Sequence, residues 1–425
     1  MLKQQKITSM LALIIAGEAI FLLPFVLVRV FRPTILEVFQ INNFELGTLF
    51  SIYGMIAMGS YFLGGPIADK FESRKLMAAA LVLTALGGIF IATIPDLSNL
   101  KLIYGFWGMT TILLFWAALI KATREWGTKE TQGMSFGFLE GGRGAFAAII
   151  ATFSVLIFSL FFTNEAESVS YLQKKEALQM IILFVVGIVL IIAIFVWFFL
   201  PKSIEKEPQE TVKTATFTTV INILKKPTIW LQAIIIVCAY VAYKITDDFS
   251  LYAKEVLHYS DTEAASVGTL ALWMRPVAAV TAGLIADKIS SSKMIVYSFI
   301  CISITSILIG FGLFEATAAA ISVLIIIIMC VGIYALRGLY FAIMEEANIP
   351  LSQTGTAIGI ISVVGYTPDI FIGPIMGYIL DKNPGAIGHQ NLFLFLAAFS
   401  CIGILAAIYF GKITRKNCFN STKNH

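Results

Sequence analysis

The sequence predicts an all-α integral membrane protein, with twelve transmembrane helices arranged as two pseudo-symmetric six-helix bundles. Three observations predict it. Of 425 residues 58% are hydrophobic and only 13% charged, with a mean hydropathy of +0.86, so most of the chain cannot form a water-facing surface. Apolar runs of about 20 residues, enough to cross a bilayer as a helix, recur along the chain. A short motif, Gly65-Pro-Ile-Ala-Asp-Lys70, returns as Gly283-Leu-Ile-Ala-Asp-Lys288, 218 residues later, as a duplicated membrane bundle would show it.

The first apolar run starts at Ile7 behind Lys3 and Lys6; it has no small-residue cleavage site and is too long for a signal peptide, so it reads as a span. Spans are expected near 7–37, 44–66, 75–94, 100–124, 133–161 and 177–200, making an N-terminal bundle over 1–200. Composition then changes: Pro201-Lys-Ser-Ile-Glu-Lys-Glu-Pro-Gln-Glu210 opens a polar linker over 201–227. The second bundle, 228–411, has spans expected near 228–254, 263–285, 293–314, 318–344, 354–380 and 391–411, with a basic tail over 412–425. Lys and Arg concentrate at the N-terminus, at 70–75, at Lys129, at 202–226, at 288–293 and in the tail. This bias predicts a multi-pass inner-membrane protein with both termini, the linker and the tail in the cytoplasm.

The repeated motif sits at the junction of two spans in each half. Gly65 and Gly283 are expected to let helix ends approach closely, and Asp69 and Asp287 to cap a helix or pair with basic residues such as Lys70, Arg74 and Lys75. Gly65, Asp69, Arg74, Gly283 and Asp287 therefore form an expected gating motif, with Asp69 helping to hold the cytoplasmic side closed. The stretch resembles the loop between the second and third helices of the major facilitator superfamily, Gly-x-Leu-Ala-Asp-Arg-x-Gly-Arg-Lys. Phe71-Glu72-Ser73 departs from that pattern, and Ile289-Ser290-Ser291-Ser292-Lys293 in the second copy has lost most of its basic side. The resemblance implies a secondary transporter that works by alternating access of two helical bundles.

Glycines recur at helical spacing in two corresponding spans. Gly133, Gly137 and Gly141 precede Gly142 and Gly144 in the fifth; Gly355, Gly359, Gly373 and Gly377 mark the eleventh, with Pro368 and Pro374 expected to bend it. Such faces of bare backbone allow close packing, and their pairing suggests surfaces that slide or rock.

Ionisable residues inside apolar runs cost several kcal/mol unless paired or facing water, so they mark function. Arg29 in the first span and Lys244 in the seventh precede the repeated Asp by 40 and 43 residues, and two cations at related places would face a common cavity. Such cations favour an anion between them, phosphate or carboxylate. Arg143 and Arg275 extend the expected substrate-binding set of Arg29, Lys244, Arg143 and Arg275. Glu18, Glu140, Asp247, Asp248 and Asp369 are the candidate coupling or ion-pair carboxylates. A plainer reading also fits: Asp247 or Asp248 follows Lys244, and Glu140 precedes Arg143, at spacings that make intrahelical ion pairs. Lys121 and Arg337 lie near expected cytoplasmic ends and read as snorkelling or gating charges.

Trp126-Gly-Thr-Lys129-Glu130-Thr-Gln-Gly133 resembles the Trp-x-x-Lys-Glu-Arg-Gly passage of the organophosphate:phosphate antiporter branch. The run from Gly355 through Gly365-Tyr366 to Gly377-Tyr-Ile-Leu-Asp381 is similar to that branch's eleventh helix. That resemblance implies one basic residue in the first helix and one in the seventh around a substrate phosphate, places that Arg29 and Lys244 approximate. Where the branch has a His in the fifth helix this chain has Gly142-Arg143, so carboxylate carriers of the anion:cation symporter branch fit as well.

Other classes are disfavoured. No Gly-x-x-x-x-Gly-Lys-Ser/Thr loop for ATP is present, and three histidines without a His-Glu-x-x-His pattern argue against a metalloenzyme. Cys238, Cys301, Cys330 and Cys401 fall in apolar runs and Cys418 in the tail, which suggests neither a disulfide framework nor a metal site. The expectation is a non-enzymatic, cofactor-free, metal-free monomer in the lipid bilayer. It would move a small organic or inorganic anion, with proton or counter-anion coupling and no nucleic-acid partner. The alternative is a transporter-like membrane sensor that binds a small anion without net flux.

Overall fold

In the computed structural model, residues 2–127, 132–161, 170–201, 221, 223–313, 319–346 and 351–422 are described. Twelve helices among them are long and apolar enough to cross a membrane. They are α1 Lys6–Phe39, α2 Asn43–Lys70, α3 Ser73–Ile91, α4 Leu97–Trp126, α5 Ser135–Ser159 and α6 Tyr171–Phe199. The second six are α7 Pro227–Glu255, α8 Asp261–Ala286, α9 Ser291–Gly310, α10 Ala319–Leu339, α11 Gly359–Lys382 and α12 Ala386–Thr414. No strand occurs among the described residues. The chain is thus an all-α membrane protein of twelve spans, each within a few residues of its expected place.

Helix starts follow from side chains that satisfy the first free amides. Asn42 accepts from the Glu45 amide while Glu45 accepts from the Asn42 amide, a capping box that opens α2. Ser170 and Gln173 do the same for α6. Elsewhere the helices are deliberately interrupted. Leu22–Val26 forms a π-helical turn around Pro24 in α1, and Thr110–Trp116 forms another in α4. Phe31 leaves helical geometry (φ −112°, ψ 28°) just before Pro33. Pro33 has no N–H for the carbonyl four residues back, that of Arg29. Ser250 Oγ donates to that carbonyl instead, at 2.9 Å.

The helices pack into two compact units. Unit 1 comprises Met1–Ile204, Thr246–Pro276 and Asp369–Ala386; unit 2 comprises Glu205–Ile245, Val277–Pro368 and Ile387–His425. One boundary falls near the expected 201–227 linker, and the others fall inside α7, inside α8, at the break in α11 and at the start of α12. Those breaks are local. Thr246–Asp248 is a single 3₁₀ turn in α7, and α11 is interrupted between Gly365 and Pro368. The core of unit 1 is built on aromatics, with Phe25 edge-on to Tyr53 at 4.7 Å and Trp107 Nε1 donating to the Thr84 carbonyl at 3.1 Å. In unit 2, the Phe299 ring fills the space that a side chain at Gly403 would need, 2.5 Å from where its Cβ would stand.

The glycines divide into two kinds. At Gly65, Gly283, Gly137, Gly141 and Gly359 an added Cβ would meet nothing within 4 Å, so the close approach expected there is absent. Helical phase is the reason: in the first motif copy it is Gly64, one residue earlier, that faces α4, with the Leu113 carbonyl 3.2 Å from its Cβ position. In the fifth span Gly142 and Gly144 face neighbours and Gly137 and Gly141 do not, while the surroundings of Gly133 and Gly355 lie outside the described residues. In the eleventh span the expected tight packing holds at Gly373 and Gly377. A Cβ at Gly373 would lie 2.6 Å from the Gly47 carbonyl oxygen, and Gly377 abuts the Asn43 and Phe44 backbone.

Candidate functional site

Four charges from three spans converge in unit 1. Arg143 on α5 donates from Nε to Glu18 of α1 at 3.1 Å and from Nη1 to Glu140, one turn back on its own helix. Arg275 on α8 donates to the other oxygens of the same two carboxylates, to Glu18 at 3.0 Å and Glu140 at 3.4 Å. Each arginine is thus shared by both glutamates, a closed ring of two positive and two negative charges. Glu18, Arg143 and Arg275 are buried, whereas Glu140 is 46% exposed. Missing side chains make room for the arginine stems. A Cβ at Gly17 would sit 3.1 Å from Arg143 Cδ, and one at Gly144 3.0 Å from Arg275 Cγ. Phe21 and Trp116 flank the Arg143 guanidinium, each ring centre 5.6 Å away.

A second charged pair is deeper. Arg29 Nε and Nη2 both reach Asp247 Oδ1 at 2.7 Å, with 2% and 1% of the two side chains exposed. The residues are 218 apart, the offset of the repeated motif, so the pair joins equivalent points of the two repeats. A 3₁₀ turn at Thr246–Asp248 interrupts α7 at this point, and from it Asp247 reaches α1. Asp248 is also fully buried.

Arg32, which the sequence reading passed over, is a fourth buried arginine of unit 1. It donates to Asn43 Oδ1 at 2.8 and 3.2 Å and to the Asp247 carbonyl at 3.4 Å. Asp381 of α11 continues the chain. Its carboxylate accepts from the Asn43 amide and side chain at 3.1 Å and from the Phe44 amide at 2.7 Å, so one helix's acid caps another's N-terminus. Nearby, Lys174 of α6 bridges Glu37 of α1 and Asp261 of α8, and Lys254 of α7 also reaches Asp261 at 3.1 Å. Asp369 stands in the first turn after the α11 break, its backbone against Gly54 of α2. Through these contacts α1 and α2 are locked to α7, α8 and α11 at the end of unit 1 that carries residues 40–42.

The chain matches the family model of the Major Facilitator Superfamily over residues 10–371. It belongs to that superfamily. Inner membrane protein YqcE of Escherichia coli (strain K12) is 28% identical, with 88% of this chain and 87% of that protein covered. The hexuronate transporter of Bacillus subtilis (strain 168) is 22% identical over 95% of each chain. Among solved structures, a bacterial homologue of the human lysosomal transporter Spinster, inward-facing and unoccupied, superposes with a TM-score of 0.69 at 14% identity, covering 97% of both chains. The chain is therefore a multi-pass inner-membrane protein of a transporter superfamily and not an enzyme.

In the first copy of the expected gating motif the basic residues pair locally. Arg74 and Lys75 each pair with Glu72 at 2.9 Å, and that contact, Lys75 first and Arg74 second, holds the Glu72 carboxyl below its ordinary range. Asp69 is exposed in the last turn of α2 and makes no ion pair among the described residues, because the helix runs on to Lys70 and leaves no N-terminus for it to cap. The Asp287 side chain and Lys129 lie outside the described residues. Lys121 donates to the Ala68 carbonyl at 2.7 Å, at the C-terminal end of α2. Lys244 is 2% exposed in unit 2. An apolar pocket of unit 1, lined by residues such as Leu27, Ile35, Leu49 and Trp107, has no charged wall and does not suit an anion.

Proposed function

We propose that this protein is a secondary transporter that carries a small anion, organic phosphate, carboxylate or inorganic, by alternating access, with residues 1–200 and 228–411 rocking as two bodies. The observation that carries the reading is the pairing of membrane-depth charges across the sequence halves, Arg29 with Asp247 and Arg275 with Glu18. A charge pair that joins two halves can be broken only if another charge replaces it, since an orphaned buried ion costs several kcal/mol. Substrate and coupling ion are the natural replacements. The name of the hexuronate transporter relative supports an anionic cargo. In this reading Arg29, Lys244, Arg143 and Arg275 serve the anion, and Glu18, Glu140, Asp247, Asp248 and Asp369 serve coupling. The protein acts as a monomer.

Purified protein should gain thermal stability with at least one of glucuronate, glucose 6-phosphate, malate and nitrate, because a ligand of the folded state raises its apparent stability. No shift with any of them would end the anion reading. Coupling has its own test. Glu18→Gln mimics a protonated carboxyl that no longer balances Arg143 and Arg275. In proteoliposomes this variant is expected to keep substrate exchange but lose accumulation driven by a pH gradient; retained accumulation would remove Glu18 from coupling. Both termini are proposed to face the cytoplasm. An impermeant thiol reagent should fail to label Ser203→Cys in intact cells, and labelling from outside would invert the topology.

A further inference from the structure

Gly65-Pro-Ile-Ala-Asp69-Lys70 and Gly283-Leu-Ile-Ala-Asp287-Lys288 have a third relative in the chain. Gly377-Tyr-Ile-Leu-Asp381-Lys382, at the end of α11, keeps the same Gly-x-Ile-x-Asp-Lys spacing. The spacing does not name a partner; the structure does. Gly377 and Asp381 stand one turn apart on one face of α11. The bare backbone at Gly377 lies against Asn43 and Phe44, so the carboxylate one turn on meets the start of α2. Its Oδ1 accepts from the Asn43 amide and from Asn43 Nδ2, each at 3.1 Å, and its Oδ2 from the Phe44 amide at 2.7 Å. Lys382 does not compete for it: the ammonium lies 5.4 Å from the ring centre of Tyr378 on its own helix and makes no ion pair with Asp381 among the described residues. Asn43 passes the contact on to α1, since its Oδ1 accepts from Arg32, whose guanidinium also rests on the Met376 sulfur of α11 at 4.0 Å.

The start of α2 does not need this acid in order to fold. The first amides of a helix have no partner within it, and here three of them are shared out between two sources. The Glu45 amide is taken by the Asn42 side chain, in a capping box that lies wholly within residues 42–45. The Asn43 and Phe44 amides are left to α11. When α11 moves away, water takes those two and α2 keeps its own cap. The Asp381 contacts therefore weigh on one arrangement of α2 and α11, not on the presence of either helix. They are charge-assisted and sit at the positive end of the α2 dipole, which makes them strong for their number.

We propose that Asp381 is a conformational latch: its carboxylate binds α11 to the first amides of α2 in the state described here and lets go when the end carrying residues 40–42 opens. The assignment rests on the alternating-access part of the reading above and not on the cargo being an anion.

The test follows labelling by a thiol reagent at Met376→Cys, a buried position between α11 and Arg32, in full-length protein whose five native cysteines are replaced by alanine. Asp381→Asn and Asp381→Ala are expected to raise its labelling rate by about ten-fold to a hundred-fold, the effect of losing charge-assisted hydrogen bonds. Asp381→Glu keeps the charge and should recover part of the difference. Labelling at Ala85→Cys, buried in α3, should stay as it was, which a general loosening of the fold would not allow. A measurable but unchanged rate at Met376→Cys in Asp381→Asn overturns the latch, and so does an equal rise at Ala85→Cys. Should Asp381→Ala not fold, Asp381→Asn decides; if neither folds, the acid serves the fold and the latch is overturned. No labelling of Met376→Cys with or without the acid means an end that never opens, and overturns the alternating-access reading instead.

Discussion

Asp247→Asn is expected to destabilise the conformation described here by about 3–5 kcal/mol, because it takes from the Arg29 guanidinium, 2% exposed, the carboxylate it holds at 2.7 Å. At about 1.4 kcal/mol per factor of ten, that is more than a hundred-fold against this state. Arg29→Met should cost a similar amount by removing the guanidinium from the buried carboxylate. Removing both charges as Arg29→Met with Asp247→Leu should return most of the stability, since a buried pair and an apolar pair of similar volume are often equivalent. The measurement is a double-mutant cycle on thermal midpoints in detergent, read with cysteine accessibility at the end of unit 1 carrying residues 40–42. Simple additivity of the two single losses would discard the pair as a coupled element. The same double variant separates structure from substrate: restored stability with anion binding lost assigns Arg29 to the anion, whereas restored stability and parental binding assign it to the latch alone.

This pair also shows how far the sequence could be read. The motif offset of 218 residues leads from Arg29 to Asp247, so the partner was available from spacing alone. The sequence reading compared like charges and arrived at Lys244, three residues short. What it lacked was the 3₁₀ turn at Thr246–Asp248, from which Asp247 reaches α1 and which has no composition signature. Twelve spans were legible because apolar length is a long-range average that single residues hardly disturb. The ring of Glu18, Glu140, Arg143 and Arg275 was legible as members, for each is an ion in an apolar run, but only the Glu140 to Arg143 spacing betrayed a contact. Asn43 and Asp381 were missed because they lie at helix ends, where polar residues are ordinary, whereas Arg32 lies inside α1 and was overlooked beside Arg29. A carboxylate at one helix end capping another helix's start leaves no local pattern. Arg337 was read as a charge near a span end, and it stands in the last turn of α10.

Gly47→Ala is expected to cost about 1–3 kcal/mol and to slow transport strongly, because α2 and α11 meet there backbone to backbone. A methyl at Gly47 would overlap the Gly373 carbonyl, and neither atom belongs to a flexible side chain that could turn away. The two helices must separate before the methyl fits, which also pulls at the Asp381 contacts with Asn43 and Phe44. Lost helix contacts at this end favour any state in which it opens, so the variant should label faster there as well as melt lower. Gly137→Ala supplies the control. It is also a helix-interior glycine, but its Cβ position meets nothing within 4 Å. The same methyl there should be neutral or stabilising by up to about 1 kcal/mol, the ordinary gain of Ala over Gly in a helix. Substitution at Gly373 should repeat the Gly47 result, since its Cβ would lie 2.6 Å from the Gly47 carbonyl oxygen. If Gly47→Ala and Gly137→Ala melt at the same temperature and transport at the same rate, α2 and α11 are not held in contact in the working protein, and the closed end is not a state it uses.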